Sequence, residues 1–179
     1  MMDKSVRITG GEYRGQKIAT PGDGTHPMGE RERLALFNML TNQIAGASVL
    51  DLYAGGGTLG LEAISRGAKK VIFVEKNHKA ASILRENIAK LGADELCTVV
   101  AEDVGAYIGT TNQEFDIVFA DPPYDKYESV FTSDLAGLVG DDGILMLSHP
   151  GDAPLLPGLS LLKTRQYAGA HLSFYQKDV

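Results

Sequence analysis

Short apolar runs alternate with longer amphipathic stretches over most of the chain. Strand-like runs fall at Ser48–Tyr53, Lys70–Glu75, Leu96–Ala101, Phe115–Ala120 and Gly143–Ser148. Between them the pattern predicts helices at Leu59–Arg66, His78–Leu91, Val104–Ile108 and Tyr127–Val139. Strands that are apolar almost throughout belong to a parallel sheet covered on both faces. Strands and helices in alternation make a doubly wound sheet with right-handed crossovers. The pattern changes at the end, where Leu161–Tyr167 and His171–Gln176 are joined only by Ala168-Gly169-Ala170. No helix fits in that link, so these two strands are expected to form an antiparallel hairpin. Upstream, Val6–Thr9 and Tyr13–Ile18 flank Gly10-Gly11 and predict a smaller hairpin. A Gly- and Pro-rich loop from Pro21 to Pro27 follows, then a helix from Glu30 to about Ile44. The expected division is a hairpin-and-loop unit at 1–28 and a main domain at 29–179.

The turn after the first long strand carries candidate chemistry. It reads Asp51-Leu52-Tyr53-Ala54-Gly55-Gly56-Gly57-Thr58-Leu59-Gly60, so Gly55, Gly57 and Gly60 fit G-x-G-x-x-G between a strand and a helix. Glu75 stands 20 residues beyond Gly55, at the end of the second strand, where it can accept two ribose hydroxyls. This much also fits a dinucleotide site. Asp51, just ahead of the glycines, suits the cationic sulfonium and ammonium of S-adenosylmethionine better than a pyrophosphate. Asp103, followed by Val104 after the third strand, can hydrogen-bond an adenine amine. Tyr53, Gly55, Gly57 and Val104 complete the expected cofactor contacts.

The fourth strand runs straight into Asp121-Pro122-Pro123-Tyr124. The prolines fix φ and forbid a helical continuation, which makes a stiff extended turn. An exocyclic amine on a nucleobase is a poor nucleophile because its lone pair is delocalised into the ring. The Asp121 carboxylate and the Pro122 carbonyl can accept its two N–H bonds, and Tyr124 can stack on the base. Asp121, Pro122 and Tyr124 are therefore the expected catalytic residues. A base in such a pocket must first leave its stack. Seven strands, parallel except for a closing hairpin, match the Rossmann-like class I methyltransferase fold better than a plain dinucleotide-binding domain.

Composition narrows the reading further. Hydrophobic residues make up 44% of the chain and charged residues 22%, ordinary for a globular protein. The net charge of −6 excludes a uniformly basic coat for nucleic acid. The first forty residues, however, hold six Lys/Arg against five acids, which leaves 11 against 18 in the rest. Phosphate contacts are accordingly expected from Arg7, Arg14, Lys17, Arg31 and Arg33. One cysteine, Cys97, makes an internal disulfide impossible and is expected to be a buried strand residue. His149 is expected in a loop after the fifth strand rather than as a base. No metal is expected, because the histidines lack partners at ligand spacing. No secretory leader or membrane-length apolar run is visible, so a cytoplasmic protein is expected.

The chain resembles the RsmD family of bacterial 16S rRNA guanine-N2 methyltransferases. The resemblance lies in Arg7-Ile8-Thr9-Gly10-Gly11 with Arg14-Gly15, in Arg31 to Asn38, and in Asp51 to Ala68. It continues through Val74-Glu75, Asp121 to Tyr124 and Phe174-Tyr175-Gln176. It implies S-adenosylmethionine as methyl donor, S-adenosylhomocysteine as product, and one guanine of 16S rRNA as target, of the guanine 966 type. It also implies RNA contacts from the N-terminal hairpin, with 16S rRNA or the 30S assembly particle as partner; apart from the resemblance, no membrane partner is expected and a monomer is the default expectation. The chain departs from the family pattern at Thr25-His26-Pro27-Met28, where Arg-Pro-Thr is usual. An adenine-N6 methyltransferase is the enzymatic alternative, since adenine offers the same kind of amine. A non-catalytic RNA-binding assembly protein is a third reading, and an NAD-dependent oxidoreductase would leave Asp121 to Tyr124 without a role.

Overall fold

The computed structural model describes residues 5–22, 28–123, 127, 134–167 and 170–178. Strands β1 (Ser5–Arg7) and β2 (Lys17–Ala19) form the N-terminal hairpin. Helix α1 (Glu30–Met39) leads to the main sheet, built from β3 (Ser48–Leu52), β4 (Lys70–Val74), β5 (Cys97–Val100), β6 (Phe115–Ala120), β7 (Val139–His149), β8 (Leu159–Tyr167) and β9 (Ala170–Lys177). Helices α2 (Thr58–Ser65), α3 (His78–Leu91) and α4 (Val104–Thr110) make the crossovers. The strand order is β5-β4-β3-β6-β7-β9-β8. β3 to β7 run parallel, and β9 pairs antiparallel with both β7 and β8. This is the doubly wound, seven-stranded class I methyltransferase sheet with a closing hairpin that the pattern predicts.

Alternation along the central strands divides the core into two layers. Val49, Phe73, Ile117 and Phe119 face α1, α2, α3 and the hairpin. Leu50, Leu52, Val74 and Val118 face α4 and the segment leading into β7. Ile8 and Ile18 lie in the first of these layers, so the N-terminal hairpin shares the core of the main sheet. α2 lies between sheet and hairpin, and all eight of its residues are buried. Among the described residues, no helix is long and apolar enough to cross a membrane.

Four expectations differ in the structure: the second hairpin strand, expected over Tyr13–Ile18, is confined to Lys17–Ala19 after a turn, and three others follow. α1 stops at Met39 instead of about Ile44, because the Thr41 hydroxyl bonds back to the Phe37 and Asn38 carbonyls as the chain turns. The helix expected over 127–139 falls largely outside the described residues. Where the chain re-enters, Ala136–Leu138 is a single 3-10 turn and Val139 already pairs with Phe115 as the start of β7. Cys97 is a strand residue as expected, but β5 lies at the sheet edge and leaves it half-buried. Burial still pushes its thiol up to about 12.

Candidate active site

β4 and β6 flank β3; the chain leaves β3 for β4 through α2 on one face and reaches β6 from β5 through α4 on the other, which opens a crevice at the strands' carboxyl ends. The register is level, with Leu52 beside both Val74 and Ala120. Tyr53, Glu75 and Asp121, the residues that follow, therefore emerge around one opening.

Leaving β3, Tyr53 takes φ 59°, the single left-handed non-glycine residue among those described. Such a conformation costs on the order of 1–3 kcal/mol and persists where surrounding contacts enforce it. The glycine loop that follows is fastened at both ends. Glu75 Oε2 accepts the Gly55 amide at 2.8 Å, and Asp51 Oδ2 accepts the Gly60 amide at 2.9 Å. The glycines have different duties. A Cβ on Gly57 would lie 2.2 Å from Leu84 Cδ1, and one on Gly60 would lie 2.2 Å from Phe73 Cε1, so both are needed for packing. Gly55 faces open space with nothing within 4 Å, which leaves its backbone accessible to a ligand.

Asp51, Glu75 and Asp121 stand close enough around the crevice for their charges to interact. Burial is the main cause that pushes the Asp51 carboxyl up to about 7, and the Asp121 and Glu75 charges add to it against the Gly60 amide. Asp121 is pushed up to about 6, first by burial and then by the charge of Glu32, while a hydrogen bond from Ser148 opposes the shift. Pro122 is buried directly behind Asp121. Tyr124 lies outside the described residues. Glu75 Oε1 also accepts the Asn77 amide at 2.7 Å, and lone pairs on both oxygens remain for hydroxyl donors. Asp103 caps α4 by accepting the Gly105 amide at 2.9 Å. A hydrogen bond from Lys76 is the main cause that holds its carboxyl below the usual range. Val104 is buried beside it in the second core layer.

The residues expected to meet phosphate divide into two groups. Arg7, Arg14, Lys17 and Arg31 are exposed on the hairpin and on the first turn of α1. Arg33 is not available to phosphate: it is 1% exposed and donates to the Met28 and Arg7 carbonyls, both at 2.7 Å. It is a buried tie between the hairpin and the start of α1. His149 also departs from expectation. It ends β7 inside the structure, fully buried, with Nε2 2.7 Å from the Ser173 hydroxyl and its ring stacked on His171. Burial and the neighbouring His171 hold its imidazolium below the usual range.

Residues that the motif reading passed over position the site. Glu62 of α2, completely buried, accepts the Thr9 and Gly10 amides, the Thr9 hydroxyl and the Arg66 guanidinium. Ser65 donates to the Gly10 carbonyl and accepts the Tyr13 amide. A Cβ on Gly11 would fall 1.7 Å from the Ser65 carbonyl oxygen. The Gly-Gly turn and the Ser65-Arg66 helix end are therefore two halves of one joint. A buried carboxylate between leucine and alanine neighbours was the available signal in the sequence.

The match to known proteins spans this whole arrangement. Residues 6–176 fit a family model described as conserved hypothetical protein 95. Ribosomal RNA small subunit methyltransferase D of Escherichia coli K12 is 31% identical over 180 residues, covering 97% of this chain and 90% of that protein. The protein of the same name from Haemophilus influenzae is 37% identical over 123 residues, 66% of this chain and 64% of its own length. A solved structure of the putative methyltransferase yhhF from Escherichia coli superposes with a TM-score of 0.88 at 30% identity, covering 98% of this chain and 99% of that one. On its sequence and its fold alike, the chain belongs to this RsmD family.

Proposed function

We propose that this chain transfers a methyl group from S-adenosylmethionine to the exocyclic N2 amine of a guanine in 16S rRNA. The observation that carries the reading is the convergence of Asp51, Glu75 and Asp121 on one crevice beside an open glycine backbone. Three carboxylates favour a ligand with a sulfonium and an ammonium group, and they disfavour the pyrophosphate of a dinucleotide. Bound there, S-adenosylmethionine supplies an activated methyl on a positively charged sulfur.

The protein's part is to hold, orient and accept a proton. Asp51 faces the ligand's positive end, Glu75 the ribose hydroxyls, and Asp103 with Val104 the adenine. With its carboxyl titrating at about 6, Asp121 is mostly ionised at neutral pH and able to accept an N–H bond. That hydrogen bond and one to the Pro122 carbonyl aim the amine nitrogen as it loses planarity. Positioning of this kind can contribute about 7–11 kcal/mol to the barrier reduction. The nitrogen's surplus proton leaves to Asp121 or to water. Tyr124 is assigned the face of the base, while Arg7, Arg14, Lys17 and Arg31 are assigned the RNA backbone.

Mass spectrometry of nucleosides from small-subunit rRNA, with and without the gene, tests the assignment. Loss of one N2-methylguanosine is expected. Loss of N6-methyladenosine would transfer the assignment to adenine, and an unchanged profile would overturn it. Methyl incorporation into unmodified 30S particles, abolished by Asp121→Ala, separates an enzyme from a non-catalytic assembly protein.

A further inference from the structure

Three side chains fasten the glycine loop from different directions. Glu75 holds the Gly55 amide, Asp51 holds the Gly60 amide, and Asn87 of α3 donates to the Gly56 carbonyl at 2.9 Å. Asn87 differs from the two carboxylates in also holding the hairpin. Its Oδ1 accepts the Ala19 amide and its Nδ2 donates to the Ala19 carbonyl, both at 2.9 Å. The side-chain amide thus pairs with β2 as a neighbouring strand would. Asn87 is 3% exposed, so these bonds form away from water and leaving one unmade is costly.

The backbones meet closely at the same place. A Cβ on Gly56 would lie 2.8 Å from the Ala19 carbonyl oxygen and 3.2 Å from Pro21 Cδ. One turn along α3, Lys90 donates to the Lys17 carbonyl at 2.6 Å. The helix therefore grips β2 twice, once at the exposed Lys90 and once at the buried Asn87. The Asn87 grip alone extends to the loop. A shift of the hairpin relative to Gly56 would break one set of Asn87 bonds or the other.

We propose that Asn87 is a positioning residue that links the N-terminal hairpin to the glycine loop, so that RNA on the hairpin and the adenosyl ligand in the loop strengthen each other's binding. The inference rests on the functional reading above, in which the loop holds the cofactor and the hairpin meets RNA. Linkage is reciprocal: whatever steadies the hairpin orients the Gly56 peptide, and whatever fills the loop steadies the hairpin.

Equilibrium dialysis of labelled S-adenosylhomocysteine, with and without an unmodified 16S rRNA transcript, measures the linkage. The natural chain is expected to bind the ligand about 5-fold tighter or more when RNA is present. In Asn87→Ala the ligand Kd without RNA should rise about tenfold, and the RNA enhancement should fall to near one. Lys90→Ala loosens β2 but leaves the Asn87 bonds to Ala19 and Gly56 in place, so it should keep the RNA enhancement of ligand binding. Hydrogen exchange on the natural chain gives a second readout that needs no variant: S-adenosylhomocysteine should slow exchange of the Ala19 amide. An undiminished RNA enhancement in Asn87→Ala, or an Ala19 amide indifferent to the ligand, would overturn the linkage. Failure of the natural chain to bind S-adenosylhomocysteine at all would instead overturn the functional reading.

Discussion

Asp51 Oδ2 accepts the Gly60 amide at 2.9 Å from inside the sheet, with the carboxylate 2% exposed. The bond fixes the start of α2, and it places a charge where burial opposes one. A carboxyl whose pKa is raised on folding keeps a proton that the unfolded chain has released. Stability therefore falls as pH climbs from 3.8 to about 7, and the whole penalty is present above that. Asp51→Asn retains an acceptor for Gly60 and removes the charge. In denaturant titrations it should exceed the natural chain by on the order of 2 kcal/mol at pH 8, allowing for the new unpartnered amide. Near pH 4 the order should reverse, because the natural carboxyl is then protonated while the variant keeps its unpartnered amide. The same variant should bind S-adenosylmethionine at least ~10-fold more weakly, because a charge-assisted contact is lost.

Asp121 should appear in the rate. With a carboxyl at about 6 in the free protein, kcat/KM is expected to rise through pH 6 as the acceptor ionises. Ser148→Ala removes a hydrogen bond that favours the charged form, so this limb should move to higher pH. Asp121→Asn should lose the limb along with most of the rate. A Ser148→Ala profile superimposable on the natural one would count against this role for the hydroxyl.

Arg31 and Arg33, two residues apart, should separate cleanly. Arg33→Ala deletes two buried charge-assisted bonds to the Met28 and Arg7 carbonyls. It should cost about 2–4 kcal/mol of stability and lower the melting temperature. Arg31→Ala should leave melting unchanged and weaken RNA binding. Its salt dependence should fall by about 0.7 in the slope of log K against log salt for a single-stranded contact.

Gly60→Ala should destabilise without any backbone strain. The added methyl group would sit 2.2 Å from Phe73 Cε1 and 2.9 Å from Val71 Cγ1, both in the core. Overpacking of this kind costs about 1–3 kcal/mol. Co-substitution of Phe73→Leu should restore part of the loss in a thermal melt.

The sequence made the parallel sheet legible because each central strand is buried on both faces and is written as an apolar run. It also located Asp51, Glu75 and Asp121, since Asp51 lies at the end of one such run, Glu75 and Asp121 follow directly on others, and the strands end level. Local pattern could not reveal which charges turn inward. Arg33 and Glu32 are neighbours on one helix turn, yet Arg33 is buried against carbonyls from Arg7 and Met28. Only the docking of the hairpin creates that environment. His149 was misplaced for a similar reason: β9 pairs antiparallel along β7 to its end, so His149 lies opposite His171 inside the sheet. Asn87 did carry a signal, as a polar residue between Leu84, Ile88 and Leu91 on the buried face of α3. Its partners, 31 and 68 residues away, could not be read from the pattern.

The hairpin joint sets the order in which a growing chain can become secure. β2 is made before its partner, since Asn87 follows Ala19 by 68 residues. At about 5–20 residues per second, that interval lasts roughly 3–14 s. Throughout it, Ile8 and Ile18 have no complete core to enter, and Glu62 when it appears must still capture Thr9 and Gly10. The hairpin, made before the elements that hold it, is thus among the last parts of this fold to be locked. During that delay the nascent chain's vulnerability to proteases and to aggregation is concentrated at the hairpin.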